Sequence, residues 1–139
     1  MTIAQAMCTS FKAEILDEQH DLIADTIKLA LYTSSATLNA TTTAYATTNE
    51  LANGNGYSTG GVTLGSKAIT THSTTVCFDF ADPTFTSATF TANGALIYNS
   101  TNGNKAIAVL AFGGDFTVAG GTFTIVLPAA GANAIIRID

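Results

Sequence analysis

The sequence predicts a mainly β protein: an antiparallel β-sandwich or barrel with an N-terminal α-helix. From residue 84 onwards, short runs rich in Thr, Val, Ile and Phe are separated by Gly and Asn, a pattern typical of strands joined by tight turns. Near the N-terminus, apolar residues recur instead at helical spacing. A length of 139 residues fits a single domain, 1–139, with a helical segment at 1–25 and a β domain at 26–139.

The helix is predicted over residues 2–17. Apolar side chains recur at spacings of three and four and share one helical face: Ile3, Ala6, Met7, Phe11, Ile15 and Leu16. Thr2 is a candidate N-cap. The apolar face could pack on the domain's own sheet or on a neighbouring molecule.

The first strand is predicted over 26–33, where apolar and polar residues alternate. Asn102-Gly103 predicts a type I′ hairpin turn, which needs positive φ at both central positions, and 119–121 predicts a second tight turn. Further strands are predicted over 61–64, 68–71, 74–80, 84–90, 95–98, 105–112, 121–127 and 134–138.

The segment 34–58 lacks regular periodicity and is rich in Thr and Asn. Loops of this length in compact domains are often functional. We therefore expect this Thr-rich loop to be a segment that contacts a partner.

Composition narrows the classes of function. The net charge is -5 and five of the ten acids lie between Glu14 and Asp25, so the chain lacks the cationic surface that nucleic-acid binding requires. No apolar stretch is long enough to span a bilayer, and the N-terminus lacks signal-peptide features, so assembly in the cytoplasm is expected. Cys8 and Cys77 have no metal or redox spacing and are expected to be buried free thiols.

Candidate catalytic groups are sparse. Asp79 and Asp82 could be paired carboxylates, but Asp82 precedes a proline and is better explained as a turn residue. His20 and His72 lack a second ligand at metal spacing. Residues 54–60 contain three glycines, but no βαβ unit surrounds them. The sequence therefore predicts a non-enzymatic protein without catalytic, cofactor or metal sites.

Five segments of the chain resemble small virion structural proteins of tailed bacteriophages. They are Lys28–Leu38, Gly56–Gly61, Phe78–Phe85, Gly94–Thr101 and Asn133–Ile138. The resemblance implies a role in particle assembly and no enzyme activity.

Within the virion, the placement favoured by this resemblance is a capsid decoration or cement protein on the head shell. Its partners would be the major capsid protein or other virion proteins, and it would be a homo-oligomer, with a trimer suited to three-fold positions. A tail, neck or fibre component is the alternative. A carbohydrate-binding adhesion module ranks last, because it would need exposed aromatic residues and the chain has no Trp.

Seven apolar or aromatic residues are candidates for the partner interface. They come from the predicted helix and from the Thr-rich loop, the two segments in which no strand is predicted. The candidates are Ile3, Met7, Phe11, Leu38, Tyr45, Leu51 and Tyr57.

Overall fold

The computed structural model describes residues 2–139 and confirms a mainly β, antiparallel architecture with one short N-terminal helix. Met1, the first residue of the predicted helical segment, lies outside the described residues. The elements are β1 (Ala6–Met7), α1 (Thr9–Leu16), β2 (Ile27–Tyr32), β3 (Val62–Thr63), β4 (Ala68–His72), β5 (Thr75–Asp79), β6 (Thr84–Asn99), β7 (Lys105–Thr124) and β8 (Ile136–Ile138).

The strands form two antiparallel sheets in a sandwich-like arrangement. The larger sheet has the order β1-β7-β6-β2-β3, and the smaller has the order β4-β5-β8. One hydrophobic cluster contains Leu29 and Ile97 from the larger sheet together with Phe78 and Ile136 from the smaller. Both sheets therefore contribute to the same core.

A single long hairpin, β6–β7, replaces the four shorter strands predicted for this region. The predicted turn at 119–121 is wrong: Ala119 and Gly121 pair with Thr89 and Ala88, and Gly120 between them is an extra residue with φ 65°. Glycine adopts this conformation at little cost, so it forms a β-bulge inside a continuous ladder. A turn-like sequence signal here marks a bend in a strand.

The predicted hairpin turn near Asn102 is confirmed, with its geometry displaced by one residue. The positive φ values belong to Gly103 (65°) and Asn104 (56°), and the Lys105 N–H donates to the Asn102 carbonyl at 3.4 Å. Asn102 is therefore the residue before the two central positions of the turn.

The predicted helix is wrong over its first half. Residues 6 and 7 form β1, which pairs with β7 through Ala6–Val109 and Met7–Ala108, and Cys8 rather than Thr2 is the N-cap. An eight-residue helix is marginal on its own, whereas edge pairing satisfies backbone groups against an existing strand. Tertiary pairing has overridden the helical periodicity.

The long hairpin has two parts. In the base, 94–99 with 105–111, β6 also pairs with β2 and β7 with β1. In the arm, 84–92 with 116–124, the two strands pair only with each other among the described strands. The parts are separated by a register shift at which residues 112–115 of β7 lie opposite Asn93.

Candidate interaction surface

The structure places the seven sequence-predicted interface residues in or against the chain's own core. Met7 and Tyr45 are half-buried and pack on the hydrophobic cluster, and the other five are at most 8% exposed. Those five are Ile3, Phe11, Leu38, Leu51 and Tyr57. The apolar side chains of these five residues stabilise the fold and offer little surface to a partner, whereas Met7 and Tyr45 stay partly accessible.

Glu50 fixes the Thr-rich loop against the domain by hydrogen bonds, and its carboxylate occupies the hydroxyl groups of the two tyrosines in the loop. The Glu50 carboxylate accepts hydrogen bonds from the Tyr45 hydroxyl (2.7 Å), the Tyr57 hydroxyl (2.5 Å) and the Gly60 N–H (2.7 Å). The Tyr45 ring also stacks on Tyr98 with centroids 4.4 Å apart. Charge-assisted bonds of this kind are about twice as strong as neutral ones, so the loop is an integral layer of the domain.

All four tyrosines of the chain have raised pKa values. Burial is the largest cause for each, and the carboxylate of Glu50 adds to the effect; for Tyr98 the pKa rises to about 12. A phenol with a raised pKa in the folded state stabilises the fold fully below its unfolded pKa of about 10, and this contribution is lost as the pH rises through the folded value.

We therefore expect the free energy of unfolding to fall steadily above about pH 10, because the unfolded chain releases phenol protons first. Urea denaturation at a series of alkaline pH values measures this slope, with tyrosinate absorbance followed in parallel. A denaturation midpoint that stays constant while the unfolded chain ionises would contradict the expectation.

The prediction of two buried free thiols is confirmed. Burial, with a smaller contribution from the nearby Glu14 carboxylate, raises the pKa of the Cys8 thiol to about 11. A thiol in this state carries little thiolate at neutral pH and is a poor nucleophile. Cys77 contacts Thr70, whose hydroxyl lies 3.2 Å from its sulfur.

The acidic residues considered as catalytic groups have structural contacts. Asp82 accepts a hydrogen bond from the Leu127 N–H at 3.1 Å, which ties the start of β6 to the segment after β7. Asp79 pairs with Ala68 at the end of the β4–β5 ladder. Among residues 2–139, no group of three His, Cys, Asp or Glu side chains is placed to hold a metal ion.

The most prominent surface feature is a groove between the N-terminal segment and the smaller sheet, which we call the α1–β8 groove. It has two lobes, of about 650 and 480 Å³, and Met7, Ile15, Arg137 and Ile138 line both. The lobes are therefore two ends of one surface depression that runs along β8.

Four large apolar side chains of this groove are exposed to solvent. They are Leu16 (88%), Ile69 (54%), Val76 (39%) and Ile138 (56%). Only seven large apolar residues are exposed in the part of the chain that the structure describes, so more than half of them lie on this one surface. Clustering of this kind marks interaction sites, whereas single exposed apolar residues are normal.

A smaller apolar patch lies beside the arm. Phe116 (52% exposed) and Val126 (77% exposed) border a depression of about 220 Å³ that Phe112 and Phe123 also line. The Phe112 ring packs against Phe116 and Phe123 with centroids 6.0 and 6.1 Å away. This arm patch is separate from the α1–β8 groove, because the two share no lining residue.

The sequence contained a signal for part of the groove. Residues two apart in a strand share a face, so Val76 and Phe78 were expected together, and cross-strand pairing adds Ile69 and Ile136 to that face. The sequence did not predict that this face of the smaller sheet lies opposite α1. Leu16 was expected on the packed face of a longer helix, and the structure leaves it in solvent.

Comparisons with known proteins do not assign the chain to a family. No helix among residues 2–139 combines the length and hydropathy that crossing a membrane requires. No family model, curated protein or solved structure matches the chain.

Proposed function

We propose that this chain is a non-enzymatic structural protein of a tailed-phage virion, acting as a decoration or cement protein that binds the head shell through the α1–β8 groove. The observation that carries the proposal is the clustering of four exposed apolar side chains in one continuous groove. A ligand that binds the assembled shell and not its dissociated subunits stabilises the shell by mass action.

The physical character of the surface supports an assembly role. Charged residues make up only 11% of the chain, so much of the surface can be desolvated without stripping water from ions. Arg137 and Asp139, which both line the larger lobe, form an ion pair at 3.6 Å beside its apolar side chains. Apolar side chains bordered by polar groups are the usual anatomy of a protein–protein interface.

A tail, neck or fibre component is the second candidate, and the arm favours it. In the base, the outer edge of β7 is covered by β1 and by the Thr-rich loop, where the Ala106 N–H donates to Thr43 at 3.0 Å. In the arm, no described strand covers that edge, and residues 112–124 of β7 contain one charged residue, Asp115. An open edge without Lys or Pro favours strand addition from a neighbouring subunit.

Substitution of Leu16 by Glu tests the groove directly. Because Leu16 is 88% exposed, Leu16→Glu should leave folding unchanged while placing a charge in the proposed interface. We expect at least a tenfold loss of binding to purified head shells of a phage that encodes the chain, by analogy with a desolvated, unpaired charge costing about 2 kcal/mol or more. Co-sedimentation with the shells measures the bound fraction.

Val126→Glu is the matched control, because Val126 is similarly exposed (77%) and lies on the arm patch. If Val126→Glu abolishes shell binding and Leu16→Glu does not, the interface lies on the arm patch and not in the α1–β8 groove. Copy number per particle separates the two placements: hundreds of copies indicate shell decoration, whereas a dozen or fewer indicate a neck or tail component.

A further inference from the structure

A polar cluster behind the α1–β8 groove has a hydrogen-bond pattern that only one protonation state of His20 satisfies. The His20 side chain is fully buried, with its ring edge against Phe11 at a centroid distance of 5.0 Å. Its Nε2 lies 2.9 Å from Glu14 Oε1, and its Nδ1 lies 3.0 Å from Asn99 Nδ2. The cluster joins α1, the connecting segment 17–25 and the end of β6.

The orientation of the Asn99 amide is fixed by its other partners. Asn99 Oδ1 accepts hydrogen bonds from the backbone N–H groups of Thr101 and Asn102, both at 3.1 Å, and these groups can only donate. Its Nδ2 donates to Asp25 Oδ2 at 2.8 Å. The remaining amide hydrogen of this fully buried residue therefore points at His20.

This pattern assigns the histidine tautomer. Because Asn99 Nδ2 is a donor, His20 Nδ1 has to be the acceptor, and the single proton of the neutral ring is on Nε2, where it is donated to Glu14. A second proton on Nδ1 would put two donors face to face at 3.0 Å. Turning the Asn99 amide over would break both backbone bonds and set its oxygen against the Asp25 carboxylate.

The charged groups around His20 are mainly carboxylates. Glu14 on α1 contacts the ring, and Glu18, Asp21 and Asp25 belong to the same connecting segment. Of the cations, Lys67 donates to the Asp25 carbonyl, Lys12 lines the other lobe of the groove, and Arg137 pairs with Cys77 in the smaller sheet. The group that a second proton on the ring would meet is the donating Asn99 amide, at 3.0 Å.

We propose that His20 and Asn99 form a pH-sensitive latch, in which protonation of His20 releases segment 17–25 from the end of β6. Glu18, His20, Asp21 and Leu22 form one wall of the 480 Å³ lobe of the α1–β8 groove. Release moves this wall, so mild acid changes the shape and accessibility of the groove. The latch stands independently of the proposed virion role.

The carboxylate in the cluster titrates in a different pH window. The Asn99 hydrogen bond, with the Asp21 N–H second, holds the pKa of Asp25 below its usual value. A group with a lowered folded pKa stabilises the fold above its unfolded pKa of about 3.9, and this contribution is lost only as the pH falls through the folded value. A transition of the latch above that window therefore does not come from Asp25.

Nitrogen NMR of the unmodified protein tests the tautomer, and amide hydrogen exchange tests the release. We expect the Nε2–H tautomer for His20 near neutral pH. From about pH 8 to about pH 5, protection factors of the Gln19, Asp25, Thr101 and Asn102 amides should fall at least tenfold, after correction for the intrinsic pH dependence of exchange. Amides in β2 should keep their protection over the same range.

Two variants complete the test. His20→Gln removes the titrating group while keeping one donor and one acceptor, and should abolish the pH-dependent loss of protection. His72→Gln, which alters the exposed histidine at the end of β4, should leave that loss intact. An Nδ1–H tautomer at neutral pH, or protection at these amides that does not change with pH in the unmodified protein, overturns the latch whether or not either variant folds.

Discussion

Gly61→Ala is expected to destabilise the fold by at least about 4 kcal/mol, the range reserved for the most disruptive single substitutions. Gly61 has φ 84°, which disfavours any side chain, and a Cβ built on it would lie 1.9 Å from the Leu29 carbonyl oxygen and 2.7 Å from the Ala30 Cα. Both contacts are backbone atoms of fully buried residues in strand β2, so they cannot move without disturbing its pairing with β3 and β6. Urea denaturation at equilibrium measures the loss.

Gly54→Ala separates backbone strain from steric overlap. Gly54 also has a positive φ, 112°, but a Cβ there meets no atom within 4 Å. Its substitution should cost only the conformational strain, about 1–3 kcal/mol. If both variants lose the same stability, the approach of Gly61 to β2 is not what requires glycine at that position.

Tyr57→Phe should cost about 3 kcal/mol, because one hydroxyl serves two partners. The Tyr57 oxygen accepts a hydrogen bond from the buried Leu31 N–H at 3.0 Å and donates one to Glu50 at 2.5 Å. Removing it leaves a buried donor unsatisfied, which costs about 1–3 kcal/mol, and removes one bond to a charged acceptor. The midpoint of thermal or urea unfolding reports the change.

Tyr98→Phe is the matched control. Tyr98 is equally buried, at 2% exposure, but its hydroxyl makes one neutral hydrogen bond, to the Gly60 carbonyl at 2.6 Å. The expected loss is about 1 kcal/mol. A Tyr98→Phe variant as unstable as Tyr57→Phe would show that the two hydrogen bonds of the Tyr57 hydroxyl stabilise the fold no more than one neutral hydrogen bond does.

The sequence was most informative where local pattern and tertiary structure agree. Alternation predicted β2 and β5 close to their observed bounds, because both strands bury apolar side chains that a period-2 pattern records. It was misleading where glycine is a bulge residue, as at Gly120, since bulges and turns use the same backbone conformation. It was also misleading at residues 2–8, where pairing with β7 outweighs helical periodicity.

The candidate site could be predicted only in part. The apolar face of β5 was visible as alternation, but the sequence did not show that this face and β8 lie opposite α1 in one groove. The latch had no sequence signal, because His20 and Asn99 are separated by 79 positions and their types alone specify no partner. Composition and periodicity indicate which side chains each element exposes, whereas the long-range topology determines which of these side chains come into contact.

The pairing of β1 with β7 has a consequence for the order of folding. Ala6 pairs with Val109, so the first strand of the chain finds its only described strand partner more than a hundred residues later. Closing so large a loop is slow, and contacts of such sequence separation form late in β-rich proteins. During synthesis β1 cannot pair with β7 until most of the chain has emerged, although Ile3 and Leu38, which form an isolated bridge, are both present much earlier. The strand that is made first is therefore expected to be among the last to pair.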